Sequence, residues 1–168
     1  MRDHGVRARD RSSVVELRRG RPDDALTIAR LFRDTVHAVN RQDYSAAHLD
    51  AWAPYQVDLE HWRAVIDASY LVVAVSGGMV VGFANLDGDD YVDQLFVHKD
   101  LLRKRIATKL LEEIEREAKR RGAARLTTQS SITARKFFER QGFVTLQAQR
   151  VTYNGQIFDN FAMEKRLR

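Results

Sequence analysis

The chain has 168 residues, of which 44% are hydrophobic and 30% charged, with a formal net charge of +5 and no cysteine. That length is one ordinary domain, with enough apolar residues for a core. The absence of a long apolar run argues against a transmembrane helix. The absence of cysteine excludes disulfides and thiolate catalysis, and fits a reducing cytoplasm. The positive balance suits an anionic partner, whether nucleic acid, an anionic membrane or a phosphorylated small molecule, or serves solubility alone.

The opening MRDHGVRARDRSS is polar and Arg-rich without an apolar h-region, unlike a secretory leader. Residues 1–12 are expected to be a disordered tail before a single domain over 13–168. Val14–Arg18 reads as a short strand. Arg21-Pro22-Asp23-Asp24 opens a helix through ALTIARLFRDTVHAV, with Leu26, Ala29, Phe32 or Arg33, and Val36 on one side. SAAHLDAW is a second helix, stopped at Ala53-Pro54, and DLEHWRAVIDAS a third. The period then changes. Tyr70–Val75 and Met79–Leu86 read as a hairpin about Ser76-Gly77-Gly78, and Asp87-Gly88-Asp89-Asp90 turns the chain into a strand at Tyr91–Val97.

Ile106–Arg121 carries the clearest helical stripe, from Ile106, Ala107, Leu110, Leu111, Ile114 and Ala118. Its EEIEREAKRR stretch reads as an outer face with Glu115–Lys119 and Glu117–Arg121 pairs. Ala124–Thr128 is a strand, and Ser130 or Ser131 is placed to cap a helix through ITARKFFERQ. A last hairpin, Phe143–Tyr153 and Gln156–Met163, turns on Asn154-Gly155, a type I′ signal. The order predicts a mixed α/β (α+β) fold. Its sheet is mainly antiparallel and flanked by helices, with one central parallel strand pair spanning Tyr91–Thr128.

The stretch LFVHKDLLRKRIATKLL poses a physical problem. Arg103, Lys104 and Arg105 stand where the long helix begins. A helix N-terminus is the positive end of the macrodipole, so each cation there is disfavoured by roughly 0.3–1 kcal/mol at low salt. The helix also begins with unpaired N–H donors. A docked pyrophosphate would turn this repulsion into attraction, whereas side chains directed into water would make it a small cost.

Other chemistries find no motif. There is no G-x-x-x-x-G-K-[ST] loop, no G-x-S-x-G elbow and no H-E-x-x-H, so no metal site is called. A nucleic-acid partner is disfavoured, because the basic residues are interleaved with acids and no stacking-aromatic motif accompanies them.

The run VDQLFVHKDLLRKRIATKLLEEIEREAKRRGAARLTTQSSITARKFFERQGF resembles the core of the GNAT superfamily of acyl-CoA-dependent N-acyltransferases. The matching pieces are LFVHKD, IATKLL, SITARKFFERQGF and the final hairpin. TVHAVNRQDYSAAHLDAWAP and DNFAMEK are similar to a bacterial, YafP-type subgroup. The resemblance implies acetyl-CoA as co-substrate, a small-molecule or peptide amine as acceptor, and direct attack in a ternary complex. It further implies that Leu95, Phe96 and Val97 lie along the pantetheine arm. The backbone of Arg103, Lys104, Arg105, Ile106, Ala107 and Thr108 would wrap the pyrophosphate. Ser131 stands where many members carry an Asn, and Phe138 where a Tyr often protonates the departing thiolate. His37, Tyr44 and Trp52 fall in helices that border the acceptor cleft.

Three positions depart from the family pattern. Leu102 replaces its Gln or Arg, Arg105 replaces a phosphate-facing Gly, and Phe138 has no ionisable proton. Arg brings a Cβ that opposes positive φ and close approach, yet offers bidentate bonds to phosphate. Tyr153 or a water could serve as acid. For the base, strand alternation puts Asp93 on one face with Tyr91, Leu95 and Val97, and makes it the preferred candidate. The alternative is a catalytically degenerate GNAT-fold binding protein. A homodimer is left open.

Overall fold

The computed structural model describes residues 14–168, so the expectation for the tail 1–12 lies outside the described residues. Among the described residues seven strands form one sheet, in the order β1-β2-β3-β4-β5-β7-β6. They are β1 (Glu16–Arg19), β2 (Tyr70–Ser76), β3 (Met79–Asp87), β4 (Tyr91–Val97), β5 (Arg125–Ser131), β6 (Val144–Tyr153) and β7 (Gln156–Arg166). Among the described residues five α-helices cover it, namely α1 (Ala25–Val39), α2 (Ala46–Trp52), α3 (Leu59–Ala68), α4 (Ile106–Arg120) and α5 (Arg135–Arg140). Every strand pair is antiparallel except β4–β5, which is parallel.

Local chemistry sets most of these elements. A 3-10 turn over Pro22–Asp24 leads into α1, and Asp24 takes two bonds from the Arg18 guanidinium at 2.8 and 2.9 Å. Those bonds hold the Asp24 carboxyl below its ordinary range. Ser45 caps α2 and Asp58 caps α3, each accepting from the N–H three residues on. Both central residues of the Asn154-Gly155 turn have positive φ, +47° and +76°, as a type I′ hairpin requires.

Helices cover both faces of the sheet, and the buried apolar residues form three clusters, the third around Val36, Tyr44, Leu49, Ala53 and Phe158. α4 and α5 lie on one face, where Leu110, Leu111 and Ile114 meet Val72, Leu86, Val92 and Leu126. α1 and α3 lie on the other, where Ile28, Leu31, Trp62 and Ile66 meet Leu71, Val73 and Phe83. Of the expected α1 stripe, Ala29, Phe32 and Val36 face the core and only Leu26 does not. Ala25, Ile28, Ala29, Leu31, Thr35 and Val36 face inward, and Leu26 is exposed. Leu26 would fit either phase of a short apolar pattern, and packing on the sheet selects the one that seats Ile28. Gly82 lets α4 approach β3. A Cβ there would stand 3.1 Å from both Leu110 Cδ1 and the Phe96 carbonyl, and 3.2 Å from Ile106 Cγ2.

Three further expectations shift. β1 begins two residues later than expected, at Glu16. β5 runs through Ser131 because its outer residues pair with β7 as far as Ser131↔Asn160. The following helix is correspondingly short, and Ser131 Oγ accepts the Ala134 N–H at 3.1 Å in the intervening turn. On α4 both expected pairs form, Glu115–Lys119 at 3.1 Å and Glu117–Arg121 at 2.8 Å. Yet Glu117 belongs to the buried side of the helix, not to an outer face.

Glu117 accepts from Arg120 at 2.6 and 2.7 Å and from Arg121 at 2.8 Å, and these hydrogen bonds hold its carboxyl at about 2 against an ordinary 4.5. A carboxyl depressed in the folded state contributes stability that is present above its unfolded value and lost as pH falls toward the folded one. Urea unfolding should therefore show stability declining from about pH 4.5 to about 2. Glu117→Gln should lower stability at pH 7 and flatten that decline. A decline of unchanged slope in the variant would exclude Glu117 as a source of it.

Candidate active site

β4 and β5 pair at only two positions, Tyr91↔Thr127 and Val92↔Thr128. Beyond these they part. The Thr128 hydroxyl donates to the Val92 carbonyl at 2.8 Å at the point of divergence. Residues 93–97 thus keep β3 on one side but have no strand on the other. Their backbone groups on the open side have no strand partner.

A bulge sits at the same place. The β3–β4 register jumps from Leu86↔Val92 to Asn85↔Gln94, which leaves Asp93 without a direct partner. One extra residue reverses the side-chain alternation beyond it. Tyr91, Asp93, Gln94 and Phe96 therefore all line a cleft on the α1 face. Leu95 and Val97 instead pack toward α4. The expectation that Asp93 shares a face with Leu95 and Val97 fails for this reason, while its partnership with Tyr91 holds.

The cleft has a volume of about 570 Å³. Tyr44, Trp52 and Ser131 also line it, and His37, Phe138 and residues 103–108 do not. His37 bonds the Ala53 carbonyl at 2.7 Å and lies against Tyr55, where it joins the end of α1 to the end of α2. Phe138 is buried under α4, 5.1 Å from the Phe143 ring. Its aromatic contacts stay within that core.

Tyr44 is a clamp between elements. Its hydroxyl donates to the Asp159 carbonyl at 2.8 Å and accepts the Ile132 N–H at 3.0 Å. Burial pushes its phenol above the ordinary value. Burial does the same for Tyr91, reinforced by the nearby Asp93 and Asp87 carboxylates. Asp93 itself is solvent-open, with the Asn85 amide donating to it at 3.4 Å.

The loop before α4 has an unusual backbone. Arg103 and Arg105 both adopt the left-handed conformation, at φ +61° and +62°. Such a conformation costs a non-glycine residue about 1–3 kcal/mol and persists only where its surroundings enforce it. Arg105 is the N-cap of α4, with no side-chain capping bond, and Arg103, Lys104 and Arg105 are all exposed. The loop thus holds the backbone a glycine would adopt while still presenting three cations.

Sequence reasoning missed several lining residues. Trp62 comes from α3, Phe158 and Asn160 from β7, and Gln94 is turned in by the bulge. A bulge has no signature in the alternating pattern, and the β7 residues enter only through sheet order.

The description of a GNAT acetyltransferase domain matches residues 40–167. The chain belongs to the GNAT acetyltransferase family. It is 34% identical to an uncharacterized N-acetyltransferase, YafP, of Escherichia coli over 149 residues, which covers 89% of this chain and 94% of that one. A GCN5-related N-acetyltransferase from Rhodopseudomonas palustris has a crystal structure with a TM-score of 0.89 at 34% identity, covering 92% of this chain and 97% of that one. The PaiA N-acetyltransferase of Thermoplasma acidophilum, solved in complex with coenzyme A, shares the GNAT fold at 18% identity. Its TM-score is 0.77, with 92% of this chain and 99% of that one covered. Among the described residues no helix is long and apolar enough to cross a membrane.

Removal of the Tyr44 hydroxyl would leave the half-buried Asp159 carbonyl and Ile132 N–H without this partner. Tyr44→Phe should cost about 1–3 kcal/mol in urea unfolding. A loss below a few tenths would mean that the clamp does not hold the cleft wall.

Proposed function

We propose that this GNAT chain transfers an acetyl group from acetyl-CoA to a primary amine by direct attack in a ternary complex. The observation that carries the reading is the parting of β4 from β5 beside the left-handed loop at the α4 N-terminus. The open edge of residues 93–97 suits the amides of a pantetheine arm. The uncapped helix start and its three cations suit a pyrophosphate. Phe96, which belongs to that edge, and Ser131 both line the cleft, and the reading puts the meeting of thioester and acceptor between them.

The acceptor nitrogen must shed a proton before it attacks the thioester carbonyl. Asp93, open to water in the cleft, is the proposed base, directly or through one water. The C–N bond forms, the C–S bond breaks, and the products are an amide and CoA. Phe138 donates no proton, so the thiolate takes one from water or from Tyr153, which also lines the cleft. A thiolate leaves tolerably near neutral pH, so a dedicated acid is not required. The lack of cysteine is consistent with a route without a thiol-bound acyl intermediate. Residues 13–168 act as one domain in this reading, and the cytoplasm is its proposed setting.

The first test is calorimetric titration with acetyl-CoA. Micromolar binding is expected, and no binding at millimolar cofactor would overturn the proposal. Arg105→Gly should weaken that binding about tenfold, the scale of one charge-assisted hydrogen bond, because the backbone already holds the glycine-like conformation and only the cation is lost. Tighter binding would instead mean that the Arg105 Cβ obstructs the phosphates. Asp93→Asn should lower kcat/KM by about 10²–10⁴ while acetyl-CoA affinity is retained. An unchanged rate would remove Asp93 from the chemistry.

A further inference from the structure

The acceptor end of the cleft has a composition that constrains what enters it. Eight Phe, Tyr or Trp rings line it, and they include both tryptophans of the chain, Trp52 and Trp62. Seven of them, all but Tyr91, form a connected set. Phe32 lies 5.2 Å from Trp62 and 5.0 Å edge-on to Phe96, and Trp52 lies 6.2 Å from both Phe96 and Phe158. Such walls favour a flat apolar body, and their π-faces also attract a cation.

The polar groups point the same way. Two carboxylates, Asp58 and Asp93, line the cleft in a chain whose overall charge is +5. The arginine in the lining, Arg33, is engaged by Asp34 at 2.9 and 3.0 Å and approaches the Tyr55 carbonyl at 3.4 Å. It is therefore poorly placed to receive a substrate carboxylate. Two residues of the lining, Gln94 and Asn160, each carry a side-chain amide oxygen, Oε1 and Oδ1, that is buried without a hydrogen-bond partner. A buried acceptor left unpaired is costly, so a donor-rich group is the complementary ligand. A primary ammonium supplies three N–H donors and a positive charge.

We infer that the acceptor is an aralkylamine, a primary ammonium on a short aliphatic stem attached to an aromatic body, with no carboxylate beside the nitrogen. The inference rests on the acetyltransferase reading and names the substrate class of that same cleft. The ring body lies among Phe32, Trp52 and Trp62, and the ammonium is held by Asp93 with the Gln94 and Asn160 amides. In the overall reaction the ammonium and acetyl-CoA give the N-acetyl amide, CoA thiol and one proton. A polyamine would offer ammonium groups to the π-faces but no flat apolar body to fill the space between the rings. An α-amino acid would bring its carboxylate toward Asp58 and Asp93.

The test compares 2-phenylethylamine, phenylalanine, spermidine and a dipeptide with a free N-terminus as acceptors with acetyl-CoA. In parallel, 2-phenylethylamine is titrated against the intrinsic fluorescence of Trp52 and Trp62. The expected result is kcat/KM at least tenfold higher for 2-phenylethylamine than for the other three, with a saturable fluorescence change in the absence of acetyl-CoA. Gln94→Leu, which keeps side-chain size and removes the acceptor, should raise the KM for 2-phenylethylamine about tenfold with acetyl-CoA affinity unchanged. Spermidine, phenylalanine or the dipeptide equalling 2-phenylethylamine would overturn the inference and leave acetyl transfer standing. If acetyl-CoA fails to bind, acetyl transfer falls, and the fluorescence titration alone decides whether the cleft takes an aralkylamine. A flat titration then overturns the inference as well.

Discussion

The parting of β4 from β5 is the constraint on which the rest of the site depends. A parallel pair normally continues until one strand ends. Here it stops after Val92↔Thr128, although both strands run on. The Thr128 hydroxyl takes the Val92 carbonyl at that point, and the bulge at Asp93 bends β4 away. β5 does not lose its outer residues, because β7 pairs with it through Ser131. Each strand is thus held on its far side and free on the near side. An open edge can persist inside a sheet only under that condition, since an unsupported strand edge would fray or find another chain.

The bulge does two things at once. It opens the sheet, and it turns Asp93 and Gln94 into the same cleft as Tyr91 and Phe96. A regular strand would have sent alternate residues under α4, as happens to Leu95 and Val97. The helical layer on the α1 face then closes around the opening. Tyr44 joins the segment before α2 to β7 and to the residue after β5. Asn154, at the tip of the β6–β7 hairpin, reaches the Ala51 carbonyl at 3.0 Å. The cleft wall is therefore built from parts distant in sequence and fixed by a few hydrogen bonds, half-buried at Tyr44 and exposed at Asn154.

The loop before α4 shows how a departure from a glycine pattern can keep its geometry. Arg103 and Arg105 carry the left-handed backbone despite their Cβ atoms. The packing of α4 onto β3 over Gly82, and the burial of Ile106 as the first helical residue, hold the helix start in place and leave the loop little choice. Strain of this kind tends to be retained where a site uses it. The three cations stand exposed at a helix end whose dipole disfavours them, an arrangement an anion would stabilise.

The amino-acid sequence by itself determined the order and type of nearly every element. Periodicity, caps and turn residues act over a few positions, and the physics they report is local. Pro22 and Asp24, Ser45, Asp58 and the Asn154-Gly155 turn each marked a boundary, and the GNAT resemblance was carried by residues on one strand–helix–strand unit. Tertiary structure decided what depends on register and depth. The Asp93 bulge reversed the faces of Leu95 and Val97 because a single inserted residue is invisible in an alternating pattern. Packing on the sheet chose the α1 phase that exposes Leu26, and it buried Glu117 among arginines that satisfy it. Trp62, Phe158 and Asn160 reached the cleft only because sheet order brings β7 beside β5 and α3 beside α1. Nothing in the local chain encodes those neighbours, since they arise from apolar surfaces finding each other across the whole fold.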